Sequence, residues 1–258
     1  MRPSNQARMN TSVESIVKAC KEVFGNELRC IILKGSAFKG DFVPNYSDVD
    51  IHVYVEPIAL EDDRTPKLEF ALKFQEAIGQ LSPKDAGVSQ FQISFLSADR
   101  SPEDWSPPVR GTYRILYGTS VPAMERIPLQ EYLERQWLYL EQVEKIRLEL
   151  LRRFVDKPNS SIPMMVRLTG TYLKGILYAL SSVLSKNPEE TFSCTLEQLL
   201  SDVLGKVPDL SYARDFFGSV KDWTSVENDP IKAREAFAFG IGALKAIEKW
   251  RSSNPKPF

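Results

Sequence analysis

Two aspartates, Asp48 and Asp50, stand two residues apart, and Asp48 follows Ser36 of a Gly35-Ser36 step by twelve residues in the stretch IILKGSAFKGDFVPNYSDVDIHVYV. On a strand, residues i and i+2 project from one face, so the two carboxylates can share the coordination of a hard cation such as Mg²⁺ or Mn²⁺. Water and substrate phosphates complete such a site. Gly35 permits a close backbone approach, and Ser36 offers a hydroxyl and an N–H to a phosphate at the start of a turn. Ser47 adjoins the pair and is expected with Gly35, Ser36 and Lys39 to bind the nucleotide; Lys39, inside the turn region, is the preferred cation for a polyphosphate ahead of Lys34 and Arg114. His52 falls on the same face as Asp50; with an ordinary pKa of about 6.5 it is a base, a phosphate contact or a rim histidine without a role. An Asp-x-Asp alone is most often a solvated strand face, so the Gly-Ser step ahead of it carries the weight.

Several other chemistries are excluded. His52 is the only histidine, which removes HExxH zinc sites and every mechanism needing two imidazoles. Cys20, Cys30 and Cys194 are widely spaced and make no CxxC pair, so neither a disulfide framework nor a zinc cluster is expected, and a reducing cytoplasm is the simplest setting. There is no GxxxxGK[ST] and no Gly-x-Ser-x-Gly. Gly240-Ile241-Gly242 lies inside a helical pattern with no strand before it, so it is not a dinucleotide fingerprint. The net charge of −1 gives no overall field for nucleic acid or an anionic membrane, and no apolar run approaches a bilayer span or a signal peptide. Neither a membrane nor nucleic acid is expected as a partner.

The elements that must position these residues follow from periodicity. Thr11 to Phe24 reads as a helix opened by a Thr11/Glu14 capping box and stopped by Gly25. Cys30 to Leu33 is a continuous apolar run, a strand covered on both faces. Val49, Ile51, Val53 and Val55 alternate with Asp48, Asp50, His52 and Tyr54, the pattern of a strand with one buried and one exposed face. Pro66 to Leu81 reads as a helix, and Phe91, Ile93 and Phe95 alternate with Gln92 and Ser94 in a third strand. Three prolines make Asp99 to Pro108 a surface loop. From Pro128 the pattern is helical: one long amphipathic helix to near Pro158, a second over Pro163 to Ser185, a third opened by a Thr195/Gln198 capping box and closed at Gly205, and a last one starting at Asp229-Pro230. The basic end of the long helix, Lys145 to Arg153, is explained by the helix dipole and solvation. The expectation is an α+β chain: a mixed sheet flanked by helices over residues 1–125, then an all-α bundle of four or five helices over 126–258.

An apolar strand, Gly-Ser, ten to thirteen residues and then Ser-Asp-x-Asp on a strand resembles the nucleotidyltransferase superfamily related to DNA polymerase beta; Gly35, Ser36, Ser47, Asp48 and Asp50 carry the match. The small α/β unit followed by a helical one is similar in layout to the aminoglycoside adenylyltransferases. The resemblance implies in-line attack of an acceptor hydroxyl on the α-phosphorus of ATP or another nucleoside triphosphate, with pyrophosphate leaving and Mg²⁺ or Mn²⁺ held by Asp48 and Asp50. The acceptor would be a small hydroxylated molecule, and Tyr172 and Lys174 would face the cleft, with core packing the stronger reading for Tyr172. The family places a third carboxylate, the general base, on the neighbouring strand; here that position is Gln92, whose amide can orient a hydroxyl but cannot take its proton. Two alternatives follow: a nucleotide-binding protein without turnover, and a protein-modifying or partner-binding nucleotidyltransferase. For the last, similar domains pair with helical nuclease partners that need a histidine this helical half lacks.

Overall fold

The computed structural model describes residues 5–102, 105–207 and 209–256. The chain divides into two compact units, Met1–Ile127 and Pro128–Phe258. The fold is α+β, with every strand among the described residues in the first unit.

The first unit is built on a four-stranded mixed sheet of order β3-β2-β1-β4. β1 (Leu28–Lys34) runs antiparallel to both β2 (Val49–Val55) and β4 (Arg114–Gly118), while β2 and β3 (Phe91–Ser97) are parallel. A parallel neighbour requires a crossover, and the chain between β2 and β3 supplies it as α3 (Leu68–Ile78) and the short α4 (Pro83–Ala86). With α1 (Asn5–Phe24) these helices cover one face of the sheet. Met9, Val13, Ile16, Cys20 and Phe24 of α1 join Leu33, Ile51, Val53 and the partly buried Phe95 in one core. Phe24 stacks on Phe70 with centroids 5.2 Å apart, and Phe74 meets Phe95 edge-on at 5.0 Å.

The opposite face is also covered, which corrects the one-sided β2 read from alternation. Cys30, Ile32, Tyr54 and Leu96 are buried beneath Ala98, Val121, Ala123 and Met124. The expected surface loop contributes to this layer: Pro102 and Pro107 are buried, and Trp105 packs on His52, while Glu103 and Asp104 lie outside the described residues.

Other departures have local causes. α1 starts six residues before Thr11, whose hydroxyl donates back to the Ala7 carbonyl at 3.1 Å, so Thr11 is an interior residue and not a cap. The upstream turn belongs to the helix because Met9 is buried in the core. Pro66 bridges to Leu60 in extended form, which delays α3 to Leu68.

The second unit is all helix among the described residues, with eight α-helical segments in place of the four or five expected. The predicted long helix is two: α5 (Leu129–Glu141) and α6 (Val143–Phe154), separated at Gln142, whose N–H turns back to the Tyr139 carbonyl. α7 (Ile162–Ser185) carries much of the core. After it come α8 (Pro188–Ser193), α9 (Leu196–Leu204), α10 (Ser211–Lys221), α11 (Trp223–Asn228) and α12 (Pro230–Ser253). The Thr195/Gln198 capping box opens α9, and Asp229 caps α12 by accepting the Ile231 N–H at 2.8 Å. A Cβ on Gly240 would lie 2.4 Å from Thr169 Cγ2, so this glycine serves the close packing of α12 on α7. The basic end of α6 is paired within the unit: Arg147 binds Glu248 at 2.6 Å, and Arg152 and Arg153 both bind Glu149.

Candidate functional site

β1 ends at Lys34, and the chain reverses at Gly35 with φ 70° and ψ −156°, a backbone region essentially confined to glycine. A Cβ here would stand 1.9 Å from Asp50 Oδ2 and 2.9 Å from Asp50 Cγ, so the turn lies flush against the Asp50 carboxylate. α2 (Ser36–Lys39) starts at once: the Phe38 and Lys39 N–H groups donate to the Gly35 carbonyl at 3.1 and 3.0 Å. The N–H groups of Ser36 and Ala37 precede these first helical bonds. Ser36 is 2% exposed, and Lys39 is half-buried at the end of the turn.

The loop back to β2 is pinned by its own polar groups. The Val43 N–H donates to Ser47 Oγ at 2.9 Å, and the Ser47 N–H donates to the Val43 carbonyl at 2.8 Å. The Ser47 carbonyl in turn accepts the Ser89 N–H at 2.9 Å, tying the loop to the segment that enters β3. The buried Ser47 hydroxyl thus holds the loop that delivers Asp48. Asp48 precedes β2 by one residue and is half-buried, as is Asp50.

Paired residues of neighbouring strands share a face, so the register writes the site as rows across the sheet. Lys34 of β1 pairs with Asp50 of β2, and Asp50 pairs with Gln92 of β3. The next row inward is Ile32, His52 and Ser94, and the one beyond is Cys30, Tyr54 and Leu96. Polarity falls from a charged, partly exposed edge to an apolar interior. Gln92 is exposed at that edge. Arg114 pairs with Leu33 and so belongs to the parity of the other face, which removes it from the cations expected beside the aspartates.

His52 is one row too deep for a rim residue. It is 3% exposed, with its ring edge-on to Trp105 at 5.4 Å and to Tyr54 at 6.2 Å, and Nδ1 has no hydrogen-bond partner among the described residues. Burial first, and the Lys34 charge second, hold its pKa well below 6.5, so the imidazole is neutral and a weak base. Local sequence favours Lys39 over Lys34, yet Lys34 is the cation the ladder sets opposite Asp50. Burial lowers its pKa, while the charges of Asp50 and Asp48 act in the opposite sense. Only the strand register, which local pattern does not encode, reveals this placement.

The donor set that remains is two carboxylates beside a glycine turn. Hard oxygen donors of this kind fit Mg²⁺ or Mn²⁺ with water and phosphate in the other positions. Among the described residues no group of three or more His, Cys, Asp or Glu side chains is placed to hold a metal. In the second unit, Tyr172 lines a pocket of about 250 Å³ with Tyr139, Lys145, Glu149 and Arg153, while Lys174 is half-buried on the same helix. None of the helices, among the described residues, is long and apolar enough to cross a membrane.

No family model matches the chain, and no curated protein matches it. Among solved structures it is similar to spectinomycin adenyltransferase AAD(9) from Enterococcus faecialis, crystallised with ATP and spectinomycin, at 17% identity, over 90% of this chain and 98% of that one, with a TM-score of 0.40.

Proposed function

We propose that the chain is a Mg²⁺-dependent nucleotidyltransferase that moves a nucleoside monophosphate from ATP or another nucleoside triphosphate to a hydroxyl of a small acceptor, releasing pyrophosphate. The observation that carries the reading is the contact of Gly35 with Asp50: the turn suited to phosphate and the carboxylate suited to metal occupy one place. Asp48 and Asp50 would hold the ion, which when bound supplies electrostatic stabilisation of charge developing on the phosphates. The N–H groups that open α2 and the Lys39 ammonium would hold the polyphosphate, and Ser47 keeps Asp48 in position. The acceptor oxygen attacks the α-phosphorus, the bond to the pyrophosphate oxygen breaks, and the acceptor proton passes to water or buffer. Gln92, beside Asp50, can orient that hydroxyl through its amide.

A second reading, nucleotide binding without turnover, is favoured by Gln92 at the position where a carboxylate base is expected and by the depth of His52. General-base catalysis contributes typically about 10²–10⁴-fold, so its loss slows a reaction that also draws on positioning and metal without abolishing it. Pyrophosphate release measured with Mg²⁺ and ATP against a panel of hydroxylated small molecules separates the two. Release that depends on acceptor and on Asp50 supports the transferase. Saturable nucleotide binding with no release on any acceptor favours the second reading.

A further inference from the structure

We propose that Lys34 is a built-in counter-cation of the aspartate pair, so that the site takes up a divalent ion together with a triphosphate and not ahead of it. The inference rests on the reading of Asp48 and Asp50 as metal ligands. Lys34 ends β1 directly opposite Asp50, and Gln92 flanks Asp50 on the other side. Lys34 is half-buried and lies within the field of both carboxylates; burial lowers its pKa, and the charges of Asp50 and Asp48 oppose that shift. Two carboxylates, one ammonium and one amide leave a single net negative charge in the group, where a third carboxylate and no lysine would leave three.

A free divalent ion entering that group meets a like charge at close range in a partly desolvated place, where such repulsion is weakly screened. A polyphosphate reverses the balance: it brings negative charge that draws the ammonium and adds oxygen donors to the ion. Gly35 leaves no side chain between the turn and Asp50, the carboxylate that the strand register sets opposite Lys34.

The test uses Mn²⁺ as probe and the full chain, with free ion read by electron paramagnetic resonance, in the absence and presence of α,β-methylene-ATP. Wild type is expected to bind Mn²⁺ about tenfold or more tightly with the analogue than without it. Lys34→Met is expected to bind Mn²⁺ alone about tenfold or more tightly than wild type. Lys34→Arg, which keeps the charge, and Lys18→Met, which removes an exposed charge on α1, should both match wild type. An unchanged or weaker affinity of folded Lys34→Met for Mn²⁺ alone overturns the inference. If that variant does not fold, wild type binding Mn²⁺ equally well with and without the analogue overturns it. Asp50→Asn separates the underlying reading: if Mn²⁺ bound with the analogue is unaffected by this change, the aspartates are not the metal ligands.

Discussion

Replacing Gly35 by alanine tests the geometry on which the site depends. The backbone at φ 70° and ψ −156° is a region that a residue with a Cβ occupies at a penalty of about 1–3 kcal/mol. The new methyl would also stand 1.9 Å from Asp50 Oδ2, so the carboxylate or the turn must move, a displacement that in a packed site costs about 1–3 kcal/mol more. The sum, about 2–6 kcal/mol, is large for a natural protein. Gly40→Ala is the internal control: the same turn, a φ of 84°, and open space around the added Cβ, so it carries backbone strain without the clash. Urea denaturation of the two variants, followed beside Mg²⁺-ATP binding by calorimetry, should show Gly35→Ala less stable than Gly40→Ala by at least about 1 kcal/mol. Nucleotide affinity should drop about tenfold or more in Gly35→Ala only, since only there is Asp50 displaced. Gly35→Ala with wild-type stability and affinity would refute the placement of the turn against Asp50.

Other expectations follow from the same structure. Gln92→Glu should raise pyrophosphate release by about 10²-fold or more and introduce a pH dependence with an acidic limb; an unchanged rate in a preparation that turns over would contradict the Asp50–Gln92 pairing. Because the folded pKa of His52 lies below its unfolded value of 6.5, the unfolded chain binds the proton first. His52 therefore contributes stability that is complete above pH 6.5 and is lost as pH falls toward the folded pKa, by at most about 1.4 kcal/mol per pH unit. Urea midpoints between pH 7.5 and 5 should fall less steeply in His52→Phe, and parallel curves would contradict the burial of a neutral imidazole. Thr195→Ala removes the hydroxyl that accepts the Gln198 N–H, and a loss of about 0.5–2 kcal/mol is expected by urea denaturation, with no effect on nucleotide binding.

What the sequence discloses here depends on whether the physics is local. The Thr195/Gln198 box and the Asp229-Pro230 start are satisfied within a single turn of helix, and they stand where the spacing puts them. The same type of signal misleads at Thr11, because a capping pattern inside a continuous apolar stripe has no way to announce that the helix has already begun. β4 is not legible in the sequence because RILYG is a five-residue edge strand whose pattern of exposure has no clean alternation. The two-residue spacing of Asp48 and Asp50 was legible, and so was the Gly-Ser step. That the step touches Asp50, that Lys34 faces the pair, and that Arg114 does not are consequences of strand register, which involves residues far apart in the chain. His52 reads as a rim residue until the layer formed by Trp105 and the segment after it is laid over it, a tertiary event that alternation along β2 cannot report.

The central claim is that the glycine turn and the aspartates form one nucleotide and metal site. Calorimetric titration of the full chain with ATP, in the presence and absence of Mg²⁺, beside Asp50→Asn, tests it most directly. Wild type should bind ATP saturably, about tenfold or more weakly without Mg²⁺, and Asp50→Asn should lose that dependence. Binding of equal strength in all arms, or none in wild type with Mg²⁺, would contradict it.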